Sequence, residues 1–179
     1  MIEEKICYLF KDKDLLSLAF IHRSFANESK GVIEGHNERL EFLGDAVLGL
    51  IVSNQLYCSF PGCSEGGLSY LRSRLVEAAA CAHYVQQIGL ESFLIMGKGE
   101  AMNEGKGRTS ILSDLFEALI GAIYLDGGYK VAEDFFFRHF EKEVMQIIEK
   151  PHRNWKAELQ DFCQKKYQKP PVYQVISEE

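Results

Sequence analysis

Apolar residues recur at helical spacing through most of residues 1–150, and no alternating apolar–polar run competes with them. That pattern predicts an all-α domain, with helices near 2–9, 12–22, 37–58, 65–88, 110–126 and 129–149. FPGCSEGG (60–67) is a turn cluster, and DGG (126–128) places glycines where a helix ends. Asn37 stands where it can cap the third of these helices. After Pro151 the character changes: NWKAELQDFCQKKYQ (154–168) predicts one amphipathic helix, and PPVYQVI (170–176) the start of a strand. The expected division is therefore 1–150 and 151–179.

The 179 residues can bury one core of ordinary size. The net charge of −6 does not announce a nucleic-acid partner, so any basic surface is local. Residues 151–179 hold five Lys/Arg against four Asp/Glu, which leaves −7 on the first 150. The five cysteines form no C-x-x-C pair, which argues against a disulfide framework or a zinc site and favours a reducing, cytoplasmic setting. No signal pattern and no apolar run of about 18 residues suggests export or a membrane span. Neither Gly-Lys pair in GKGEAMNEGKGRT (97–109) has the spacing of a phosphate-cradling Walker loop, so a nucleotide cofactor is not expected.

The helix in HNERLEFLGDAVLGL (36–50) poses a physical problem. Glu38 and Glu41 fall about 60° apart around it and Asp45 about 20° from Glu38, so three carboxylates share one face. Leu40, Phe42, Leu43, Val47, Leu48, Leu50 and Ile51 cover much of the rest, which predicts a helix largely surrounded by protein. Gly49 in its interior suggests that a close neighbour or a substrate needs that space. Asp114 and Glu117 repeat the arrangement on the helix at 110–126. If the two acidic faces meet, they form the hard-oxygen environment of Mg²⁺ or Mn²⁺. One such pair alone is as a rule a solvated face or half of a salt bridge, with Arg39 a local partner. Spacing leaves both readings open.

NERLEFLGDAVL (37–48) resembles the signature motif of the ribonuclease III family almost letter for letter. LLSLAFIHRSFANE (15–28) resembles that family's L-x-H-x-S segment, GGLSYLRSRLVEAA (66–79) its next helix, and GRTSILSDLFEALIGAIYLDGG (107–128) its second acidic motif. The resemblance implies an all-α homodimer that cleaves double-stranded RNA with Mg²⁺, or Mn²⁺ in its place. It implies 5′-phosphate and 3′-hydroxyl ends and a role in rRNA and mRNA processing. Carried over, Glu41, Asp45, Asp114 and Glu117 take the metal positions, with Asp45 and Glu117 catalytic. Glu38 and Glu65 are supporting acids of the cleft, and Phe42 is the aromatic that enters the partner subunit. Lys98, Lys106, Arg108, Arg72 and Arg74 are candidate RNA contacts. His22 and Ser24 match family positions, where a capping or hydrogen-bonding role is expected. Ser113 stands where the family commonly has Ala.

Residues 154–179 resemble the opening of the family's double-stranded-RNA-binding domain. Such an opening cannot bury a core alone, so residues past about 152 are expected to be loosely ordered or docked, and RNA binding weak and salt-sensitive. Two other functions fit parts of the pattern. A catalytically silent RNA-binding adaptor of the same fold would be marked by lost carboxylates, yet all four are present. A di-iron bundle would need E-x-x-H pairs, and Pro151 interrupts the pair from Glu149 to His152.

Overall fold

A computed structural model describes residues 1–29, 35–102, 107–149 and 155–174 of the chain. Among these residues the structure is helical, and the one β-type pairing is an isolated parallel bridge between Ile21 and Ile95. Contacts divide the chain into Met1–Ile148 and Glu149–Glu179.

The first unit is organised around α8 (Arg108–Gly127). Leu112, Leu115, Phe116, Leu119, Ile120 and Ile123 are all buried, as are the small residues Ala118, Gly121 and Ala122 between them. A helix this apolar on all sides must be enclosed by other helices. α4 (Glu38–Ser59) lies along it most extensively, followed by α6 (Ala78–Gln87) and α2 (Lys13–Ala19). α9 (Tyr129–Glu149) adds Phe135, Phe136 and Phe140 to the core. There Tyr84, Phe116 and Phe140 stack in one aromatic cluster, with centroids 4.5 Å apart for Tyr84–Phe140 and 5.1 Å for Tyr84–Phe116. The buried Tyr84 hydroxyl donates to the Leu75 carbonyl at 3.2 Å, so its burial leaves no unmet donor.

Two close approaches fix how α4 meets α8. A Cβ added to Gly44 would lie 1.7 Å from the Glu117 carbonyl oxygen, and one added to Gly121 would lie 2.3 Å from the Leu40 carbonyl oxygen. The helices therefore run in opposite senses in backbone contact, Leu40 beside Gly121 and Gly44 beside Glu117. Each glycine costs roughly 1 kcal/mol of helix propensity, offset by the packing that closeness permits. Gly49, by contrast, has open space where its Cβ would be, so it is not the site of the close neighbour its helix suggested.

The helix ends differ from the sequence expectation for local reasons. α1 (Ile2–Ile6) stops at Cys7, whose backbone is left-handed at φ 50°. α2 stops at Ala19 because the next residues leave the helix to bridge Ile95: Ile95 N–H donates to Phe20 O, and His22 N–H to Ile95 O. A separate α3 (Arg23–Glu28) then begins, capped by the His22 ring. The single helix expected over 65–88 is two, α5 (Glu65–Val76) and α6, parted at Glu77, whose ψ of 154° is extended. Neither glycine nor proline marks that break. Asn37 occupies the cap position of α4 but its side chain donates instead to Ala19 O at 3.3 Å. The glycine-rich segment contains one short turn of helix, α7 (Lys98–Ala101).

In the second unit, α10 spans Trp155–Tyr167, close to the expected 154–168. Residues 170–174 carry no strand pairing, and the remainder of the strand suggested at 170–176 lies outside the described residues.

Candidate active site

The α4–α8 crossing brings the two acidic faces together. Glu41 and Asp45 flank Gly44 on α4, while Glu117 presents the carbonyl that Gly44 touches and Asp114 sits one turn earlier. Beside the crossing opens a polar cleft of about 460 Å³, lined by His22, Arg23, Asn37, Glu38, Glu41, Glu100, Gly107 and Asp114.

The acids disturb one another as a shared site requires. Burial, followed by the charges of Asp45, Asp114 and Glu41, pushes the Glu117 carboxyl up to about 7. Glu41 is raised by burial and then by Asp114 and Glu38, and Asp114 is raised chiefly by burial. In the other direction, the charge of Arg23 draws Glu41 down, and His22 and Arg23 draw Asp114 down. Arg23 Nη1 lies 3.2 Å from Glu38 Oε1, and His36 Nδ1 lies 3.6 Å from Glu38 Oε2. The ion pair at Glu38 is thus made from α3, not by its neighbour Arg39. Sequence reasoning missed Arg23, since nothing in its spacing tells that the start of α3 comes within ion-pair reach of Glu38.

Ser113, buried at 4% exposure, donates from Oγ to Glu117 Oε1 at 3.3 Å. This hydroxyl, at the position where the family resemblance leads one to expect Ala, favours the ionised form of Glu117. Directly behind, the buried Cys81 thiol is pushed up to about 12 by burial and by the Glu117 charge, so it stays protonated.

These are oxygen donors on rigid helices, matched to a hard divalent cation. Among the described residues no three Asp, Glu, His or Cys side chains are gathered at ligating distance. The carboxylates nonetheless sense one another electrostatically, Glu117 feeling Asp45, Asp114 and Glu41. The upward-shifted ionisation of Glu41, Asp114 and Glu117 is the sign of a site short of positive charge, and a divalent ion would reverse it. Glu41, Asp45, Asp114 and Glu117 are the residues fitted to hold one.

The other residues singled out in the sequence are dispersed. Glu65 opens α5 and lines a second, largely apolar pocket of about 400 Å³ with Leu50, Tyr57, Leu68 and Arg72. That pocket faces Ser53 of α4, about 12 Å along the helix from Asp45, so Glu65 is not drawn to the four acids within one chain. Arg72 donates to Ser53 Oγ at 3.4 Å and Arg74 pairs with Glu77 at 3.7 Å, both away from the cleft. Lys98 begins α7 and Arg108 begins α8, each near a residue of the cleft lining in sequence, Glu100 and Gly107. Lys106 lies outside the described residues. Phe42 is 82% exposed and Leu50 57%, so α4 is not surrounded: an apolar stripe of Phe42, Leu50 and Tyr57 runs along its outer side.

Fold and site together define a helical domain whose two central helices cross through glycines and pool four carboxylates beside a polar cleft. A family profile described as ribonuclease-III-like matches residues 12–144. The chain is 60% identical over 177 residues to ribonuclease 3 of Protochlamydia amoebophila, covering 99% of this chain and 73% of that protein. It is 43% identical to ribonuclease 3 of Oleidesulfovibrio alaskensis, covering 98% and 76%. A structure of the nuclease domain of ribonuclease III from Campylobacter jejuni superposes with a TM-score of 0.72 at 43% identity, over 79% of this chain and 94% of that one. Dicer from Pichia stipitis gives 0.59 at 26% identity, over 96% and 76%. The chain belongs to the ribonuclease III family.

Proposed function

We propose that the protein is a double-strand-specific endoribonuclease that hydrolyses phosphodiester bonds with Mg²⁺, leaving 5′-phosphate and 3′-hydroxyl ends, and that it acts in rRNA and mRNA processing. The observation that carries this reading is the juxtaposition of Glu41 and Asp45 with Asp114 and Glu117, with Glu117 raised to about 7 by burial and by the other three. A bound divalent ion would supply charge neutralisation at the phosphate and a more acidic water. The chain's own part is positional. The four carboxylates, on two helices locked by Gly44 and Gly121, hold the donor set in register. Ser113 fixes one oxygen of Glu117. Water oxygen bonds to phosphorus, the bond from phosphorus to the 3′ oxygen breaks, and that oxygen leaves with a proton.

A-form RNA is held through its backbone and 2′-hydroxyls, so basic groups around the cleft serve without reading bases. Arg23 lines the cleft, while Lys98 and Arg108 stand two residues from Glu100 and one from Gly107 of its lining; Lys106, a further candidate, lies outside the described residues. Homodimerisation is part of the proposal. The exposed ring of Phe42 and the apolar pocket beside Leu50 and Tyr57 lie on one side of α4, where water contact is costly and a second copy would cover both. The described helices include none long and apolar enough to cross a membrane, and the cysteines are free thiols, which suits the cytoplasm.

The deciding experiment is cleavage of end-labelled duplex RNA in Mg²⁺ and in EDTA, by the wild type and by Glu117→Gln. Mg²⁺-dependent products from the wild type alone are expected. Binding without cleavage by a folded wild-type dimer would instead identify a silent adaptor.

A further inference from the structure

Across the cleft from the acids, the segment 95–101 is stitched to α3 by contacts that the four metal-site carboxylates do not explain. Glu28, the last residue of α3, accepts the Lys98 backbone N–H at 2.8 Å on Oε2 and the Gly99 N–H at 3.1 Å on Oε1. One turn earlier, Ser24 Oγ accepts the Gly97 N–H at 2.9 Å and lies 2.7 Å from His22 Nδ1. Gly97 is moulded to this contact: a Cβ there would stand 2.4 Å from Glu28 Oε1 and 2.8 Å from the Ser24 carbonyl oxygen. Behind it, His22 N–H donates to Ile95 O. The same short α3 begins with Arg23, which reaches Glu38, and the segment it holds includes Glu100 in the cleft wall.

We propose that Glu28 is a positioning residue for substrate, clasping the backbone of Lys98 and Gly99 so that the Lys98 side chain is presented to RNA phosphate at the mouth of the acidic cleft. The inference rests on the RNA-cleavage reading and deepens it. A carboxylate is suited to the task because two diverging N–H groups each need an anionic oxygen, and hydrogen bonds to a charged acceptor are about twice as strong as neutral ones. Gln keeps the shape of the side chain but offers one acceptor and a second, donor-bearing group that opposes the facing N–H. The clasp acts on where a cation sits and leaves Glu41, Asp45, Asp114 and Glu117 on their own helices. Its loss therefore falls on substrate capture and spares the chemical step.

The test is steady-state cleavage of a labelled RNA duplex with Mg²⁺ by wild type, Glu28→Gln, Lys98→Ala and the double variant. Glu28→Gln should raise KM roughly three- to tenfold, as for a lost phosphate contact, with kcat within about twofold. In the Lys98→Ala background, where there is no ammonium left to place, Glu28→Gln should raise KM no further. An unchanged KM in the single variant, or the same rise in both backgrounds, would overturn the proposal; the latter would make Glu28 a generally structural residue. Should Glu28→Gln fail to fold, Gly97→Ala, which forces the same segment off Ser24 and Glu28, is measured in the same two backgrounds with the same expectations. A wild type that leaves duplex RNA intact would overturn the functional reading, and with it this one, and is distinguished from either result above by the control lane.

Discussion

Gly44 and Gly121 meet across the α4–α8 crossing so closely that a Cβ on Gly121 would stand 3.1 Å from the Gly44 nitrogen and 2.3 Å from the Leu40 carbonyl oxygen. The obstacle is backbone on both sides, which no rotamer change relieves. Gly121→Ala must push the helices apart, at a cost of about 2–4 kcal/mol even after its gain in helix propensity. Thermal unfolding followed by circular dichroism should show Tm lower by roughly 5–15 °C. An unchanged Tm would mean that the backbones do not touch.

The half-buried Glu117 makes the metal-free protein sensitive to pH. Glu117 ionises at about 7 in the folded chain against an ordinary 4.5, so the folded state binds its proton more tightly. The stability this contributes is fully present below pH 4.5 and is lost as pH rises through 7. With its partial solvent screening the effect is about 1 kcal/mol. In EDTA, Glu117→Gln should therefore be more stable than wild type at pH 8 and lose that advantage near pH 5. A stability difference independent of pH would contradict the shifted ionisation.

Added Mg²⁺ should raise the wild-type Tm, and more at pH 8 than at pH 5, because protons compete for the same oxygens. At about 100 times its Kd the ion contributes roughly 2.7 kcal/mol. Asp114→Asn and Glu117→Gln should each blunt that rise in differential scanning fluorimetry. An equal rise in all three proteins would place the ion elsewhere.

Phe42 is the most exposed aromatic on α4. Phe42→Asp should shift the sedimentation profile toward monomer at micromolar concentration while the unfolding curve of the separated subunit keeps its shape. A wild type already monomeric under those conditions would remove the basis for the partner-facing role.

The long helices and the acidic positions were legible in the sequence because they follow from local spacing: 100° per residue sets Glu38, Glu41 and Asp45 on one face whatever surrounds them. What surrounds them was not legible. The outward stripe of Phe42 and Leu50 has the same composition as a core face, and only the partner-free structure distinguishes them. Gly49 drew notice as an unusual helix residue, yet the glycines that matter are Gly44 and Gly121, each within a turn of an acid of the site. That adjacency was the available signal. Glu65 and Arg72 went to another pocket because α5 meets α4 farther along, at Leu50, Ser53 and Tyr57, a matter of tertiary geometry. Arg23 and Glu28 bracket a six-residue helix lying between the expected helices at 12–22 and 37–58, too short for apolar spacing to reveal it.

At the far end of α8, Asp126 accepts the Tyr8 hydroxyl at 2.5 Å and the backbone N–H groups of Lys11 and Asp12 at 3.0 and 2.8 Å. Although burial pushes its carboxyl up, these donors together hold it below the usual range. The partners are 114 to 118 residues apart in the chain. During synthesis the segment carrying Tyr8 is thus made roughly 6–24 s before its acceptor, at common ribosomal rates. Its docking on Asp126 must wait until α8 is made, and Arg138 and His139 of α9, which reach the Cys7 and Ile6 carbonyls, come later still, so the first helix is fastened only after the helix that completes the acidic cleft exists.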